Sequence, residues 1–209
     1  VLWTSGTTGV PKPIVQTHTG YLEMIDRVLE PLRGRTDRPR DHRPTPNLVP
    51  VGLTLNAGIY NPLFGLRAGA EVVVMDRFVT TAQANALKAT QVAGMTTAQI
   101  AAMDTADFAA LVGRFAIAST VLPPAAMTML NDDAAVTDLT PLRFVRSITA
   151  PLSPLQARRF AERFGVTVLN SYGQAEMGEV VGWTARDARE HPEKLGAAGR
   201  PLPGVAVRI

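Results

Sequence analysis

Two short segments of this chain carry side chains that could hold a nucleotide. The first combines hydroxyls, glycines and a lysine: Thr4, Ser5, Gly6, Thr7, Thr8, Gly9 and Lys12. The second combines an aromatic ring, a glycine and a carboxylate: Asn170, Ser171, Tyr172, Gly173, Gln174, Ala175 and Glu176. Glycines let the backbone approach a ligand closely, and a run of amides, hydroxyls and a cation forms a cradle for polyphosphate. A carboxylate is a ligand that Mg²⁺ prefers, so together the segments predict a magnesium–nucleotide site.

The first segment differs from the two best-known phosphate loops. A P-loop has four residues between its two glycines and a hydroxyl residue directly after its lysine. Here only two residues lie between Gly6 and Gly9, and Pro13 follows Lys12. The dinucleotide fingerprint Gly-x-Gly-x-x-Gly is also absent from this region. The first segment alone is equally compatible with an ordinary surface turn.

Hydrophobic periodicity predicts strands that alternate with helices. The predicted strands are residues 1–4, 48–53, 71–75, 117–122, 144–148 and 166–169, and the predicted helices are 18–32, 57–66, 125–130 and 153–164. Ser153 and Pro154 suit the cap and first position of the last helix. This alternation predicts an α/β fold with a mostly parallel sheet flanked by helices. Both polar segments follow strands, and such sheets bind ligands at the carboxyl ends of their strands.

With three further segments, the chain resembles the adenylate-forming superfamily of acyl-CoA synthetases, amino-acid-activating domains and luciferase-like enzymes. These segments are residues 121–124, residues 139–143 leading to 149–153, and the glycine–proline stretch 196–205. All five segments occur in the family's order. The resemblance implies the large N-terminal, AMP-binding domain of an acyl-CoA synthetase-like enzyme, of which residues 1–209 would be an internal part.

The resemblance implies a two-step reaction that uses ATP, Mg²⁺ and coenzyme A. A carboxylic acid is first activated as its acyl-adenylate, and a thiol then attacks the activated carbonyl. The first segment with Lys12 would hold the β- and γ-phosphates, Glu176 would ligate Mg²⁺, and Tyr172 would lie against adenine. Further nucleotide contacts are expected from Thr149, Ala150, Pro151, Asn170, Ser171, Gly173, Gln174 and Ala175.

The acid pocket is expected to use small or apolar residues, which favour an apolar or aromatic acid. The candidates are Asn56, Ala57, Gly58, Ile59, Met177 and Gly178. Three features depart from the family. Ala175 replaces a threonine, Thr54-Leu55 replaces an aromatic–histidine pair, and residues 79–104 form an Ala/Thr/Gln-rich insertion expected to add surface helix.

Composition narrows the function classes. The chain has 209 residues, no cysteine and a net charge of +3, which fits a cytoplasmic protein without disulfides or thiolate metal sites. No apolar run is long enough for a transmembrane helix. The basic segment 33–43 lacks aromatic residues and includes two aspartates, so no nucleic-acid partner is expected. The three histidines lack metal-ligand spacing.

Two alternatives remain open at this stage. An adenylation domain could deliver its acyl group to a carrier protein instead of coenzyme A. A fragment with phosphate and adenine elements could also bind nucleotide without catalysis. Residues 1–209 do not include the family's ribose-binding Thr-Gly-Asp motif or the small C-terminal domain with its adenylation lysine. We therefore expect that residues 1–209 alone do not turn over.

Overall fold

The computed structural model describes residues 2–3, 13–33, 44–51, 56–75, 104–148, 150–174, 176–194 and 196–208. The strands are β1 (Leu2–Trp3), β2 (Pro13–Ile14), β3 (Asn47–Val49), β4 (Val72–Val74), β5 (Ser119–Val121), β6 (Phe144–Ser147), β7 (Thr167–Gln174), β8 (Gly178–Gly182) and β9 (Arg200–Pro201). The helices are α1 (His18–Arg33), α2 (Asn56–Ala68), α3 (Thr105–Arg114), α4 (Pro124–Asp132), α5 (Pro154–Phe164) and α6 (Ala185–Glu190).

Within the described residues, seven strands form one sheet in the order β4-β3-β5-β6-β7-β8-β9. The strands from β4 to β7 are parallel to one another, and β8 and β9 are antiparallel to their neighbours. β1 and β2 pair separately as an antiparallel ribbon. The predicted α/β class with a mostly parallel sheet is therefore confirmed.

Helices α3, α4 and α5 cover one face of the sheet. Their buried side chains pack against alternate residues of the strands, and the main members of this core are Phe108, Val112, Met127, Leu130, Phe160, Val145 and Val168. Burying each large apolar side chain contributes about 1.5–3 kcal/mol relative to exposure. Neighbouring residues in β6 and β7 point the opposite way, where Leu169 and Phe144 pack with Trp183 and with Ala188 of α6.

Most predicted elements are found close to their predicted bounds, but β7 is longer than expected. The predicted strand 166–169 ends before the Tyr172 segment, whereas the observed strand continues to Gln174. The reason is tertiary: β8 folds back and pairs with residues 171–174. The predicted insertion at 79–104 falls almost wholly on residues that lie outside the described part of the chain.

Gly173 sits at an irregularity in the β7–β8 pairing, where the register shifts between Tyr172 and Gly173. A Cβ atom at this position would lie 2.7 Å from the Glu179 Cα and 2.9 Å from the Gly178 carbonyl carbon. These are backbone atoms, so no side-chain rotation relieves the overlap. Gly173 thus allows the close approach of the two strand backbones, in addition to any approach by a ligand.

We predict that Ser153→Ala destabilises the protein by about 1 kcal/mol. The Ser153 hydroxyl caps α5 by accepting a hydrogen bond from the Gln156 amide at 3.1 Å, and alanine leaves that amide without the bond. Ser153→Asp is the matched rescue, because its carboxylate accepts the same bond. Urea denaturation measures both, and equal stability of the alanine and aspartate variants would contradict the capping role.

We predict that Gly173→Ala costs about 1–3 kcal/mol, the usual range for overpacking. The control is Gly113→Ala in α3, where an added Cβ meets nothing within 4 Å. A glycine-to-alanine change inside a helix gains about 0.5–1 kcal/mol. Opposite signs for the two substitutions in urea denaturation are the expected result. A stabilising Gly173→Ala would show that the strands separate easily.

Candidate active site

The second polar segment lies on the β7–β8 hairpin. Residues 171–174 of β7 pair with residues 178–182 of β8, and Glu176 and Met177 occupy the turn between the strands. The backbone of this turn is closed by a hydrogen bond from the Met177 amide to the Gln174 carbonyl at 3.2 Å. The hairpin therefore carries both Tyr172 and Glu176. Ala175 lies outside the described residues.

Tyr172 is available for a planar ligand. Its side chain is 48% exposed, although it belongs to a central strand of the sheet. The Gln174 side-chain amide donates a hydrogen bond to the Tyr172 hydroxyl at 2.9 Å. This bond engages the hydroxyl at the polar end of the ring. An exposed, oriented aromatic ring is a suitable platform for a nucleobase.

The end of β6 lies directly beside this hairpin. Ser147, the last residue of β6, pairs with Asn170, and the Ser171 hydroxyl donates to the Ser147 carbonyl at 3.1 Å. Ala150 and Pro151 follow Ser147 by three and four residues, after the carboxyl end of β6. Thr149 lies outside the described residues.

The glycine–proline stretch 196–205 closes the other side of the hairpin. β9 pairs with β8, and the Leu202 amide donates to the Val180 carbonyl at 2.9 Å. The Ala197 carbonyl accepts the Trp183 indole N–H at 2.8 Å and the Asn170 side-chain amide at 3.5 Å. Asn170, predicted as a nucleotide contact, is thus partly engaged by the protein itself.

The first polar segment, including Lys12, lies outside the described residues. Its flanks are described: Leu2 pairs with Ile14 and Trp3 with Pro13. Shortly after β2, the Gln16 side-chain amide donates a long hydrogen bond of 3.5 Å to the Glu176 carbonyl. The β1–β2 ribbon that flanks the first segment therefore leads to the turn that carries Glu176, although the two segments are about 160 residues apart in sequence.

Glu176 suits a magnesium ion that is shared with phosphates. The residue is exposed at the turn of the hairpin. Among the described residues, no group of three or more His, Cys, Asp or Glu side chains is arranged to hold a metal. Mg²⁺ often takes one or two carboxylates, retains several waters and completes its shell with substrate phosphates. A single exposed carboxylate fits that mode of binding.

Helix α1 joins the two groups of residues expected to form the acid pocket. Its Tyr21 hydroxyl donates to the Asn56 side-chain oxygen at 2.9 Å, at the start of α2. Its Arg27 donates to the Met177 carbonyl at 3.4 Å. Gly58 is buried, whereas Ile59 and Met177 are partly exposed apolar side chains. Ala57 adjoins Asn56, and its backbone carbonyl accepts a hydrogen bond from the Asn61 side-chain amide at 2.9 Å.

Gly178 packs against the same helix. It has a positive φ of 71°, and an added Cβ would lie 3.1 Å from the Met24 sulfur. The structure therefore places Met177 and Gly178 against one stretch of α1 and Asn56 against another. The predicted acid-pocket residues are thus brought to a common helix.

A buried ion pair beneath the hairpin was not predicted from the sequence. Arg146 of β6 pairs with Glu179 of β8, and Glu179 is only 5% exposed. Burial raises the pKa of the Glu179 carboxyl, and the Arg146 guanidinium opposes that rise. Burial also raises the pKa of Tyr60 in α2, and the negative charge of Glu179 adds to the effect. The sequence feature that could have indicated this pair is the single charged residue in each of two predominantly apolar strands.

Comparison with known proteins agrees with this architecture. A family model described as AMP-binding enzyme matches residues 1–209. 4-Coumarate–CoA ligase 5 of Oryza sativa subsp. japonica is 27% identical over 214 residues, which cover 99% of this chain and 34% of that protein. 4-Coumarate–CoA ligase 3 of Arabidopsis thaliana is 26% identical over 215 residues, covering 99% and 33%. The chain thus spans about a third of the length of these relatives.

Solved structures show the same fold. O-Succinylbenzoate CoA synthetase (MenE) of Bacillus subtilis, in complex with the acyl-adenylate intermediate OSB-AMP, matches with a TM-score of 0.71 and 20% identity, covering 100% of this chain and 36% of that one. Amide bond synthetase McbA of Marinactinospora thermotolerans matches with a TM-score of 0.70 and 25% identity, covering 99% and 35%. No helix in the described part of the chain has the length and apolar character needed to cross a membrane. From its polar segments, its sheet and the family model that covers its whole length, the chain belongs to the AMP-binding enzyme family of the adenylate-forming superfamily.

Proposed function

We propose that the protein containing this chain activates a carboxylic acid with ATP and transfers the acyl group to the thiol of coenzyme A. The observation that carries the proposal is the β7–β8 hairpin. It presents an exposed, oriented Tyr172 and an exposed Glu176 beside the carboxyl end of β6, and the flank of the lysine-containing segment reaches its turn. An aromatic platform, a metal carboxylate and a phosphate cradle are the parts that a nucleotide-activating site needs.

In the first step, a carboxylate oxygen of the acid forms a bond to the α-phosphorus of ATP. The bond between that phosphorus and the bridging oxygen breaks, and pyrophosphate leaves with the electron pair. Little covalent work falls to the protein, so positioning and charge stabilisation dominate. Mg²⁺ held by Glu176 would neutralise charge on the phosphates. Lys12 and the donors of residues 4–9 would stabilise the departing pyrophosphate.

Around the nucleotide, Tyr172 would lie along the adenine ring, and Ala150 and Pro151 would line its other side. Gln174 orients Tyr172 through the bond to its hydroxyl. Thr149, Asn170, Ser171, Gly173 and Ala175 complete the proposed nucleotide contacts. Since Ala175 lacks a hydroxyl, it offers only its backbone to the α-phosphate. In the second step, the thiol sulfur attacks the acyl carbonyl, and AMP leaves.

The substrate is proposed to be an apolar or aromatic acid. Asn56, Ala57, Gly58 and Ile59 at the start of α2, with Met177 and Gly178 after the hairpin turn, supply small and apolar surface. The relatives named 4-coumarate–CoA ligase are named for an aromatic acid, which agrees with this proposal.

The test is carboxylate-dependent ATP–pyrophosphate exchange by the full-length parent protein, with fatty, aromatic and amino acids. Exchange with aromatic or fatty acids, followed by thioester formation with coenzyme A, is the expected result. If exchange occurs and the acyl group is transferred to a carrier protein but not to coenzyme A, the carrier protein is the acyl acceptor. Mg-ATP binding without exchange for any acid would favour nucleotide binding without catalysis.

We predict that Lys12→Ala and Glu176→Ala each lower the exchange rate about 10²–10³-fold, as expected for loss of one group that stabilises developing charge. The matched controls are Lys194→Ala in the turn Pro192–Lys194 and Glu162→Ala on the exposed face of α5. Both controls should leave exchange unchanged. Removal of divalent metal with a chelator should abolish exchange and Mg²⁺ should restore it. Wild-type exchange by Glu176→Ala would remove Glu176 from the metal site.

A further inference from the structure

The Arg146–Glu179 ion pair spans three strands of the sheet. Arg146 is the third residue of β6 and Glu179 the second of β8, with β7 between them. The Arg146 side chain therefore reaches across β7 to meet the carboxylate. The two side chains are 17% and 4% exposed, so the pair is almost completely removed from water.

The sheet leaves space for this pair at Gly182. A Cβ on Gly182 would collide with the Glu179 carboxylate, and it would lie 3.0 Å from Arg146 Nη1 and 3.4 Å from the Ser171 Cβ. Gly182 is the residue of β8 that pairs with Ser171 of β7. Two small residues thus stand where the long arginine side chain has to cross. The small residues of β7 and β8 at these positions therefore leave room for the ion pair.

Further hydrogen bonds fix the arginine in place. Its second terminal nitrogen, Nη2, donates to the Trp183 carbonyl at 3.2 Å. In the same region the Ser171 hydroxyl donates to the Ser147 carbonyl at 3.1 Å. One guanidinium therefore bridges β6, β8 and the first residue after β8. The planar donor geometry of arginine makes this bridge directional.

Stability alone is a weak explanation for such a pair. Removing two charges from water costs free energy, and well-packed apolar replacements are often equally stable or more stable. What the pair does supply is a fixed spacing between the strands it joins. Ala150 lies four residues after Arg146, and Glu176 lies three residues before Glu179. The pair thus joins the two strands whose ends form opposite sides of the proposed nucleotide site.

We propose that Arg146 and Glu179 are positioning residues that hold the Tyr172–Glu176 hairpin at a set distance from the Ala150–Pro151 end of β6. The inference rests on the proposed function of that site. Both side chains are largely buried and engaged with each other, so the role proposed for them is indirect. The pair acts through the hairpin backbone, so its loss displaces Glu176 and Tyr172 together. The expected consequence is weaker capture of Mg-ATP in a protein that is still folded.

The test compares the double variant Arg146→Met/Glu179→Leu with the single variant Glu179→Gln in the full-length parent protein. The double variant replaces both charges by apolar groups of similar size, which avoids an unpaired buried charge. Glu179→Gln keeps an oxygen that accepts from Arg146. The matched control is Arg186→Met/Glu190→Leu, which removes an exposed ion pair of 2.6 Å on α6.

For the double variant, we expect the KM for Mg-ATP and the half-saturating Mg²⁺ concentration in pyrophosphate exchange to rise about tenfold or more, since misplacement of about 1 Å can cost 10²-fold. Its melting temperature should stay within about 4 °C of wild type, the size of shift that a small change in stability produces in a domain of this size. Glu179→Gln should give a smaller rise, and the α6 control should give none.

A folded double variant with wild-type KM for Mg-ATP would overturn the proposal. If the double variant fails to fold, Glu179→Gln decides: an unchanged KM overturns the positioning role, and a raised KM at unchanged melting temperature supports it. If wild type shows no exchange, the proposed function fails separately. Calorimetric binding of Mg-ATP then tests the pair, with about tenfold weaker binding supporting it and equal binding overturning it.

Discussion

The structure depends on the pairing of β7 along both of its edges. On one side it is parallel to β6, and on the other it is antiparallel to β8. The two pairings occupy different parts of the strand: residues 167–170 pair with β6, and residues 171–174 pair with β8. The part of β7 that carries the exposed Tyr172 is therefore held in the sheet by β8, and its position depends on that hairpin.

Helix α1 contacts both the β7–β8 hairpin and the start of α2. It contacts the turn after β7 through Arg27 and Met24, and it contacts the start of α2 through Tyr21. Just before the helix, Gln16 reaches the Glu176 carbonyl. A displacement of α1 would therefore affect the hairpin turn and the proposed acid pocket at the same time.

The two carboxylates of the hairpin have opposite surroundings. Glu176 is exposed at the turn, where a metal shared with phosphates can reach it. Glu179 is buried, and its pKa is raised by burial while Arg146 stabilises its charged form. Only two residues lie between a group suited to bind a ligand and a group suited to hold strands together. Burial and partners, not residue type, make the distinction.

The sequence alone predicted the α/β class of the fold, which the structure confirms, and it supplied the segments that are proposed to carry chemistry. These predictions used local patterns only. The patterns were the valine-rich strands, the Ser153 cap with Pro154, and the hydroxyl, aromatic and carboxylate residues within short stretches. Tertiary structure decided the length of β7, the reason for Gly173 and the Arg146–Glu179 pair. Each depends on β8 folding back onto β7, which brings together residues that no local pattern connects. The sequence around a charged residue in a strand does not identify the residue with which it pairs, because the strands come together only in the folded protein.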